Sequence, residues 1–420
     1  MTVPVRPSGP RRSWEPARQG SLRTRNVELV LDHILAADVP VSRTELVELT
    51  GLTRPTITRI VDELISGRLV AEAGLTFREG GAGRPRMGLT LSRRGPAGLG
   101  LDIRSDGLGA CVVDFTGNVR YTAFELARHA DRDAFAMVAQ VARMAAAAVD
   151  AVAAEDLKVV NATLAVPGPV QAGVVRSAPA LGWRDVDAAT MLRGPAGHLD
   201  LSVAVENEAK LAALGELYAS NNKLSNFLYV SGGLGIGAGL VLDGQLIRGA
   251  HGWSGELGHV NVFPDGKPCR CGARGCLEAY AGLEAMLVGE PAPAGMSRAA
   301  AVVARAEAEQ PETLAILDSA GFELGVALSD TLNILDIDTV LLGGSFSLLS
   351  AWLSQAITAE IGQRVLTTAW SPITVRPALL GPDAAAVGGA LTAIDEIRRH
   401  PADWLECPHP ATASRPASMS

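Results

Sequence analysis

Ser254–Glu278 reads SGELGHVNVFPDGKPCRCGARGCLE and holds three of the chain's five cysteines, Cys269, Cys271 and Cys276, together with His259, Glu256 and Glu278. Three thiolates and one imidazole are the ligand set of a closed, tetrahedral structural zinc site. The Cys-x-Cys-x4-Cys spacing is tight, and Gly272 and Gly275 permit the sharp turns that bring three sulfurs to one ion. His259, ten residues before the first cysteine, would close the shell from another segment. The expected cofactor is therefore Zn2+ at His259, Cys269, Cys271 and Cys276, pinning an irregular loop that has little apolar content to hold it. A disulfide or scattered free thiols are the alternatives; persistent disulfides are rare inside cells, and the rest of the chain reads as intracellular.

Working outward, 420 residues are too many for one ordinary core, so two or three domains are expected. Hydrophobic residues make up 48 % and aromatics only 4 %, so the cores must be built from Ala, Val and Leu. The opening MTVPVRPSGPRRSWEP lacks the apolar run of a secretory signal, and no charge-free apolar window of about 20 residues would span a membrane. The chain is expected to be soluble and cytoplasmic. Its charge is divided: residues 1–95 carry 15 Arg against 10 Asp and Glu, a net of +5, and the remainder 22 basic against 35 acidic residues, a net of −13. A basic front on an acidic body suggests a polyanion partner at one end.

That front end has an order of its own. Residues 1–20 read as a disordered arm, and Val27, Val30, Leu31, Ile34 and Leu35 recur at helical spacing within Leu22–Ala36. Val41–Val70 follows as VSRTELVELTGLTRPTITRIVDELISGRLV. Ser42-x-x-Glu45 is a capping box, Gly51 ends the short helix, and Thr53 caps a second helix whose first turn tolerates Pro55. Ile57, Ile60, Val61 and Leu64 would face inward. Two short helices joined by a Gly-containing turn form a helix-turn-helix. Arg43, Thr53, Arg54, Thr56, Thr58 and Arg59 are then the donors offered to phosphates and base edges of a double-stranded DNA operator. Strands over Leu69–Ala73 and Arg86–Leu91 flank GLTFREGGAGRPR, a wing carrying Arg84 and Arg86. Helix, turn, polar face and basic wing occur in order, which favours DNA binding over a helical protein-interaction domain.

Ser92–Ala97 reads as a linker into the acidic body. Leu99–Val119, LGLDIRSDGLGACVVDFTGNV, and Phe227–Ile247, FLYVSGGLGIGAGLVLDGQLI, share one plan of strand, glycine turn, strand, then Asp and Gly. One unit used twice predicts two similar α/β lobes with a cleft between them. A helix over Ala134–Ala153, a buried strand over Val159–Val166 ended by Pro167-Gly168-Pro169, a strand at Thr339–Leu342 and a small-residue helix near Ala384–Ile397 complete the outline. Cys407 and the tail PHPATASRPASMS lie outside any cluster.

From Leu22 to about Leu405 the sequence resembles the ROK family of sugar kinases and sugar-responsive repressors. Its most specific marks are Glu256-Leu257-Gly258-His259 and the run Cys269-Arg-Cys-Gly-Ala-Arg-Gly-Cys276-Leu-Glu278. The resemblance implies an actin-like (ribonuclease H-like) two-lobed ATPase fold of the α/β class, preceded by an α+β winged helix-turn-helix as in the family's transcription-factor branch. The implied domains are a disordered arm at 1–20, a winged helix at 21–92, a sugar-binding body at 98–405 with the zinc loop at 254–278, and a disordered tail at 408–420. It also implies a hexose site in the cleft formed by Asn207, Glu208, Glu256, His259 and Glu278, with His259 serving metal through one nitrogen and sugar through the other. Carboxylates suit that task because each accepts hydrogen bonds from vicinal hydroxyls.

The departures from the kinase pattern concern phosphoryl transfer. Where the kinases carry Glu-Asn-Asp, whose Asp is the general base, this chain reads Glu206-Asn207-Glu208. A misplacement of about 1 Å can cost a hundredfold in rate. The phosphate turn Asp-x-Gly-Gly-Thr reads Asp102-Ile103-Arg104-Ser105-Asp106, and a second, usually Gly-Thr-Gly, reads Gly233-Leu234-Gly235. Glu208, Arg104, Ser105 and Leu234 thus stand in degraded kinase positions, and Ala180 replaces an Asn that often contacts sugar. The expectation is a sugar-responsive repressor of carbohydrate genes without kinase activity, acting as a homodimer or dimer of dimers on a palindromic operator. The alternatives are an ATP-dependent, hexokinase-like enzyme with a DNA-binding appendage, and a regulator that answers to a partner protein.

Overall fold

The structure is a computed structural model and describes residues 19–76, 86–104, 106–126, 133–220, 223–233, 235–287 and 291–406. Most of the N-terminal arm, the wing tip with Arg84, Ser105, Leu234, Cys407 and the tail lie outside the described residues. The chain divides into two units, one formed by residues 1–92 with 396–420 and the other by 93–395.

In the first unit α1 (Gln19–Leu35) buries Val27, Val30, Leu31 and Ile34 against α2 (Arg43–Thr50) and α3 (Arg54–Ser66). β1 (Val41–Ser42) precedes α2, and the capping box forms as read: the Ser42 amide donates to Glu45 Oε2 at 2.8 Å while the Glu45 amide donates to Ser42 Oγ. Gly51 ends α2 at φ 70°, a left-handed conformation a side chain would strain, so the chain turns straight into the Thr53 cap of α3. Ile57, Ile60, Val61 and Leu64 are all buried. β2 (Val70–Thr76) pairs antiparallel with β3 (Arg86–Leu91), and β1 joins the other edge of β3.

The second unit repeats one sheet plan. β4 (Gly95–Ile103), β5 (Gly107–Asp114) and β6 (Val119–Leu126) form an antiparallel meander. After α4 (Ala134–Ala153), β7 (Leu157–Val166) pairs parallel to β4. The small sheet β8 (Val170–Gln171), β9 (Val174–Ala178) and β10 (Trp183–Asp187) and helix α5 (Ala188–Arg193) intervene before β11 (Ser202–Asn207) pairs parallel to β7. Helix α6 (Glu208–Ala219) leads to the second lobe. There β12 (Phe227–Gly232), β13 (Ile236–Leu242) and β14 (Gln245–Leu246) form the meander. Helices α7 (Glu278–Ala281), α8 (Leu283–Met286), α9 (Arg298–Glu307) and α10 (Pro311–Leu335) precede β15 (Thr339–Gly344). α11 (Ser345–Arg364) connects it to β16 (Thr374–Pro377). The orders β11-β7-β4-β5-β6 and β16-β15-β12-β13-β14 are the same topology twice, which is what the two related hairpin sequences predict.

Helix α4 is long and apolar enough, by length and composition, to cross a membrane; here Met137, Val141, Ala145 and Ala148 are buried in the first lobe's core. The final helices are α12 (Ala384–Arg399) and α13 (Pro401–Glu406). Two boundaries differ from the sequence reading. The linker expected at Ser92–Ala97 is already strand from Gly95, because Gly95 and Pro96 pair with Leu157 and Lys158 and are buried. The body expected to run to 405 gives Glu396–Glu406 to the first unit. There Trp404 Nε1 donates to the Gly67 carbonyl at 2.9 Å, and Arg23 bridges Glu63 and Glu406. A Pro at the start of α13 and no wide apolar stripe gave no hint of that docking.

Inside the body α6 lies on the second sheet through Leu211 and Ala213, and α12 lies on the first through Ala386 and Ala390. The two helices touch backbone to backbone at Gly215 and Gly388, where a Cβ on Gly388 would stand 1.8 Å from the Leu211 carbonyl oxygen. Replacing a helical Gly by Ala ordinarily stabilises by up to about 1 kcal/mol, but prying two packed helices apart costs about 1–3 kcal/mol or more. The clash wins. Gly388→Ala is expected to lower unfolding free energy in urea by about 1–2 kcal/mol, whereas Gly362→Ala, exposed in α11 with open space at its Cβ, should raise it slightly; equal effects would remove the helix-crossing argument.

Candidate functional site

The segment after β14 has almost no regular structure and is shaped by its turns. A single 3-10 turn, Leu257–His259, sets His259, and the Gly272 amide donates to the Cys269 carbonyl at 3.0 Å to close the turn between the first two sulfurs and the third. Gly275, at φ 76°, lies so close to Phe263 that a Cβ would meet its carbonyl oxygen at 1.7 Å. This packing brings one ligand atom from each of His259, Cys269, Cys271 and Cys276 within 4.8 Å of the others, where they could hold a metal ion. Cys271 Sγ and Cys276 Sγ are 3.8 Å apart, and Cys269 Sγ is 3.9 Å from His259 Nδ1. A sulfur–sulfur edge of roughly 3.8 Å is that of a regular tetrahedron with bonds of about 2.3 Å, and it is far too long for a disulfide. Burial pushes the Cys269 and Cys276 thiols up; a dication against the sulfurs reverses that sign.

Beside this cluster, between the lobes, lies a cavity of about 610 Å³. Asn207, Glu208, Glu256, His259 and Glu278 all line it, although they come from the β11–α6 junction, the 3-10 turn and the start of α7. Asn207 is buried and largely engaged: its side-chain oxygen accepts from the Ala209 and Lys210 amides as the cap of α6, and its nitrogen donates to the Gly168 carbonyl at 3.1 Å. Glu278 Oε1 lies 2.9 Å from Cys269 Sγ and 3.9 Å from His259 Nδ1. Burial raises the Glu256 carboxyl, while His259 and Lys210 pull the other way.

A second cavity, about 370 Å³, adjoins the first and shares Pro167, Ala180, Glu208 and Gly235 with it. Its first-lobe wall is Asp102, Arg104 and Asp106, and its second-lobe wall includes Ser231, Gly232, Gly344 and Ser345. Arg104 is held by charge, one hydrogen bond and a ring, although its Nε makes no hydrogen bond. Nε lies 3.1 Å from Asp102 Oδ2, one terminal nitrogen donates to the Pro382 carbonyl at 2.8 Å, the other lies 3.6 Å from Asp383, and the guanidinium stacks 4.4 Å over the Phe124 ring. Burial pushes Glu208 up to about 8, with the Asp102 charge adding and Arg104 opposing. Asp102 is pushed up to about 6, again by burial and despite Arg104.

In the first unit, Arg54, Thr58 and Arg59 are exposed on α3, with Thr53 at its cap and Thr56 half-buried. Thr53 and Thr56 hydroxyls share a 2.8 Å hydrogen bond, Thr58 Oγ1 donates to the Arg54 carbonyl, and Arg59 lies 3.7 Å from Glu63. Arg43 faces inward to ion pairs with Asp62 and Glu72 at 3.0 and 3.2 Å, so its guanidinium is held by the protein itself. Arg86 opens β3; Arg84 lies outside the described residues.

Sequence reading missed Asp383 and Pro382 as partners of Arg104, since 278 residues separate them, and it missed Lys210 and the rim residue Lys267. Two acids at 206 and 208, shortly before a lysine at 210, were the available signal for Lys210.

Comparison with known proteins follows the same lines. The ROK family pattern matches residues 99–396. The chain is 28 % identical over 384 residues to the xylose repressor of Bacillus subtilis (strain 168), covering 91 % of this chain and 98 % of that repressor. It is 30 % identical over 245 residues to the glucokinase of Halalkalibacterium halodurans, covering 54 % of this chain and 73 % of the kinase. Its structure matches the crystal structure of a ROK family transcriptional regulator, a homolog of the E. coli MLC protein, with a TM-score of 0.73 at 25 % identity over 92 % of this chain and 100 % of that one. With the Glu256–His259 turn, the cysteine loop and all but the first residues of the twice-used sheet falling inside the matched residues, the chain belongs to the ROK family.

Proposed function

We propose that the protein is a sugar-responsive, DNA-binding transcriptional repressor of carbohydrate genes. One observation carries this reading: five polar residues suited to vicinal hydroxyls converge on one cavity in a chain whose separate front unit carries a capped, arginine-bearing recognition helix. Its similarity to the xylose repressor extends over both parts. Glu256 and Glu278 would accept from ring hydroxyls, with His259 presenting its second nitrogen to the sugar. Asn207 would chiefly fix the turn that offers Glu208.

His259, Cys269, Cys271 and Cys276 would hold zinc, since three sulfurs and one imidazole at tetrahedral spacing favour that ion. Bound zinc would supply structural bracing for the loop and no reaction step. A homodimer would set two α3 helices into successive major grooves of a palindromic operator, and sugar would act only through its difference in affinity between two arrangements of the protein.

Kinase activity is proposed to be lost. Glu208 stands where the kinases carry the Asp general base and is one methylene longer, so its carboxyl meets a hydroxyl at a displaced position. Arg104 and the carboxylates of Asp102, Asp106 and Asp383 crowd the wall a phosphate would need. The hexokinase-like alternative has one observation in its favour: α11, twenty residues long, begins at that cavity without a side-chain cap, a ready anion site. A coupled assay of ATP with an aldose panel decides, and turnover near 1 s⁻¹ would overturn the repressor-only reading.

Arg59→Ala is expected to weaken operator binding by roughly 1–3 kcal/mol in a shift assay at fixed salt; unchanged binding would reassign the recognition helix. In thermal denaturation a cognate aldose at about 100 times its dissociation constant should add about 2.7 kcal/mol, and Cys276→Ser should abolish both that gain and one bound zinc per chain by elemental analysis. Glu208 also makes stability depend on pH. Because the folded chain keeps this proton where an unfolded glutamate near 4.5 has released it, stability declines as pH rises from about 4.5 to about 8 and levels off above. Glu208→Gln should flatten that decline by about 2–4 kcal/mol between pH 5 and pH 8 in urea unfolding.

A further inference from the structure

Lys210 is the one lysine among the largest fully buried side chains of the described residues, with 1 % of its surface exposed. It sits in the first turn of α6, directly after the Asn207 cap and Glu208. That is an unfavourable place for an ammonium twice over. Burial removes its hydration, and the amide ends of the helix already present partial positive charge. A lysine retained there must have compensating partners. Its Nζ donates to the Gly252 carbonyl, and the Glu206 and Glu256 carboxylates favour its charge against burial and Arg248, which lower its pKa.

Gly252 belongs to the loop that joins β14 to Glu256. The loop is closed by the Ser254 amide donating to the Arg248 carbonyl at 3.1 Å and fixed at its far end by the Ala238 amide donating to the Gly255 carbonyl at 2.7 Å. Gly252 has φ 81°. On the outside, His251 and Trp253 stack with ring centroids 5.2 Å apart. A second tie runs beside it: Arg248, at the start of the same loop, places Nε 3.4 Å from Glu206 Oε2, next to the Asn207 cap, but that pair is half exposed. The ammonium therefore ties the turn bearing Asn207 and Glu208, on one wall of the larger cavity, to the loop ending at Glu256, on another.

We propose that Lys210 is a positioning residue, a buried pin that holds the Gly249–Glu256 loop against α6 so that Glu256 meets a sugar in register with Glu208. The inference rests on the sugar-binding reading of the cavity. It differs from it in that Lys210 touches no ligand and acts through the Gly252 carbonyl. A neutral side chain of similar length would fill the same space yet leave that carbonyl without its ammonium donor and remove the lysine charge that faces Glu206 and Glu256.

The test compares full-length wild type with Lys210→Met and Lys210→Arg by hydrogen–deuterium exchange and by calorimetric titration with D-xylose and D-glucose. Lys210→Met is expected to raise amide exchange at residues 249–256 at least tenfold while α10 and α11 keep their protection, and to weaken binding of whichever sugar the wild type takes at least tenfold. Lys210→Arg, which keeps a cation, should recover most of both. Should Lys210→Met fail to fold, Lys210→Gln, which keeps an N–H donor without charge, carries the same comparison. Unchanged exchange at 249–256 overturns the pin, whatever happens to affinity. Faster exchange with unchanged affinity overturns its positioning role. A wild type that binds neither sugar, with the loop loosened in Lys210→Met, overturns the reading of the cavity and leaves the pin standing.

Discussion

Cys269 Sγ lies 2.9 Å from Glu278 Oε1, and from that short contact follows much of what the acidic body can do. The thiol is part of the His–Cys cluster, and the carboxylate is part of the cavity wall, so whatever orders one orders the other. Their segment has no sheet or long helix to hold it; it relies on turns, two isolated bridges and glycines pressed against neighbouring backbone. Such a loop has little apolar burial to oppose its conformational entropy. A tetrahedral ion would supply what the core does not, and the position of Glu278 would then be set by metal geometry.

The two cavities divide the body's chemistry. The larger is lined by Glu208, Glu256 and Glu278, while the smaller is walled by Asp102, Arg104 and Asp106. Arg104 pairs with buried Asp102 and with exposed Asp383; without it Asp102 would be a buried carboxylate without compensation. Even so, burial outweighs the guanidinium at Asp102 and leaves it near 6, and Glu208 beyond it near 8. Asp102 therefore keeps its charge at neutral pH beside Arg104, whereas Glu208 holds its proton there.

Much of this was legible in the sequence because it is encoded locally. Ser42 and Glu45 are three residues apart and form their box; Thr53, Pro55 and the Ile57–Leu64 spacing produce α3 as read; and the two hairpin sequences at Leu99–Val119 and Phe227–Ile247 yield the same five-stranded order twice. The cysteine loop was readable because metal-ligand spacing is itself short-range. What escaped is non-local. Arg104 meets Pro382 and Asp383 only once α12 is laid across the first sheet, and Trp404 reaches Gly67 only once the chain has closed on its own beginning. Arg43, offered to DNA by the sequence, is instead engaged by Glu72 on a strand that helical periodicity cannot place beside it. The second tie of Asn207, from its side-chain nitrogen to the Gly168 carbonyl, likewise spans 39 residues.

Helix α6 shows how binding could be felt at a distance. Its first turn carries Asn207, Glu208 and Lys210 at the cavity, and one turn beyond, Leu211 and Gly215 meet α12 with no side chain between the backbones. Packed backbones have few intermediate arrangements, so small shifts at one end are not absorbed by rotamers. A ligand that pulls Glu208 and Glu256 together must therefore either fit the present crossing or change it. In the second case the α6–α12 crossing is the bistable element, and the ligand's leverage is limited to its difference in affinity between the two crossings. A phosphoryl-transfer enzyme must also align a second substrate and exclude water. A regulator needs only that difference, which two helices crossing at Gly215 and Gly388 can transmit.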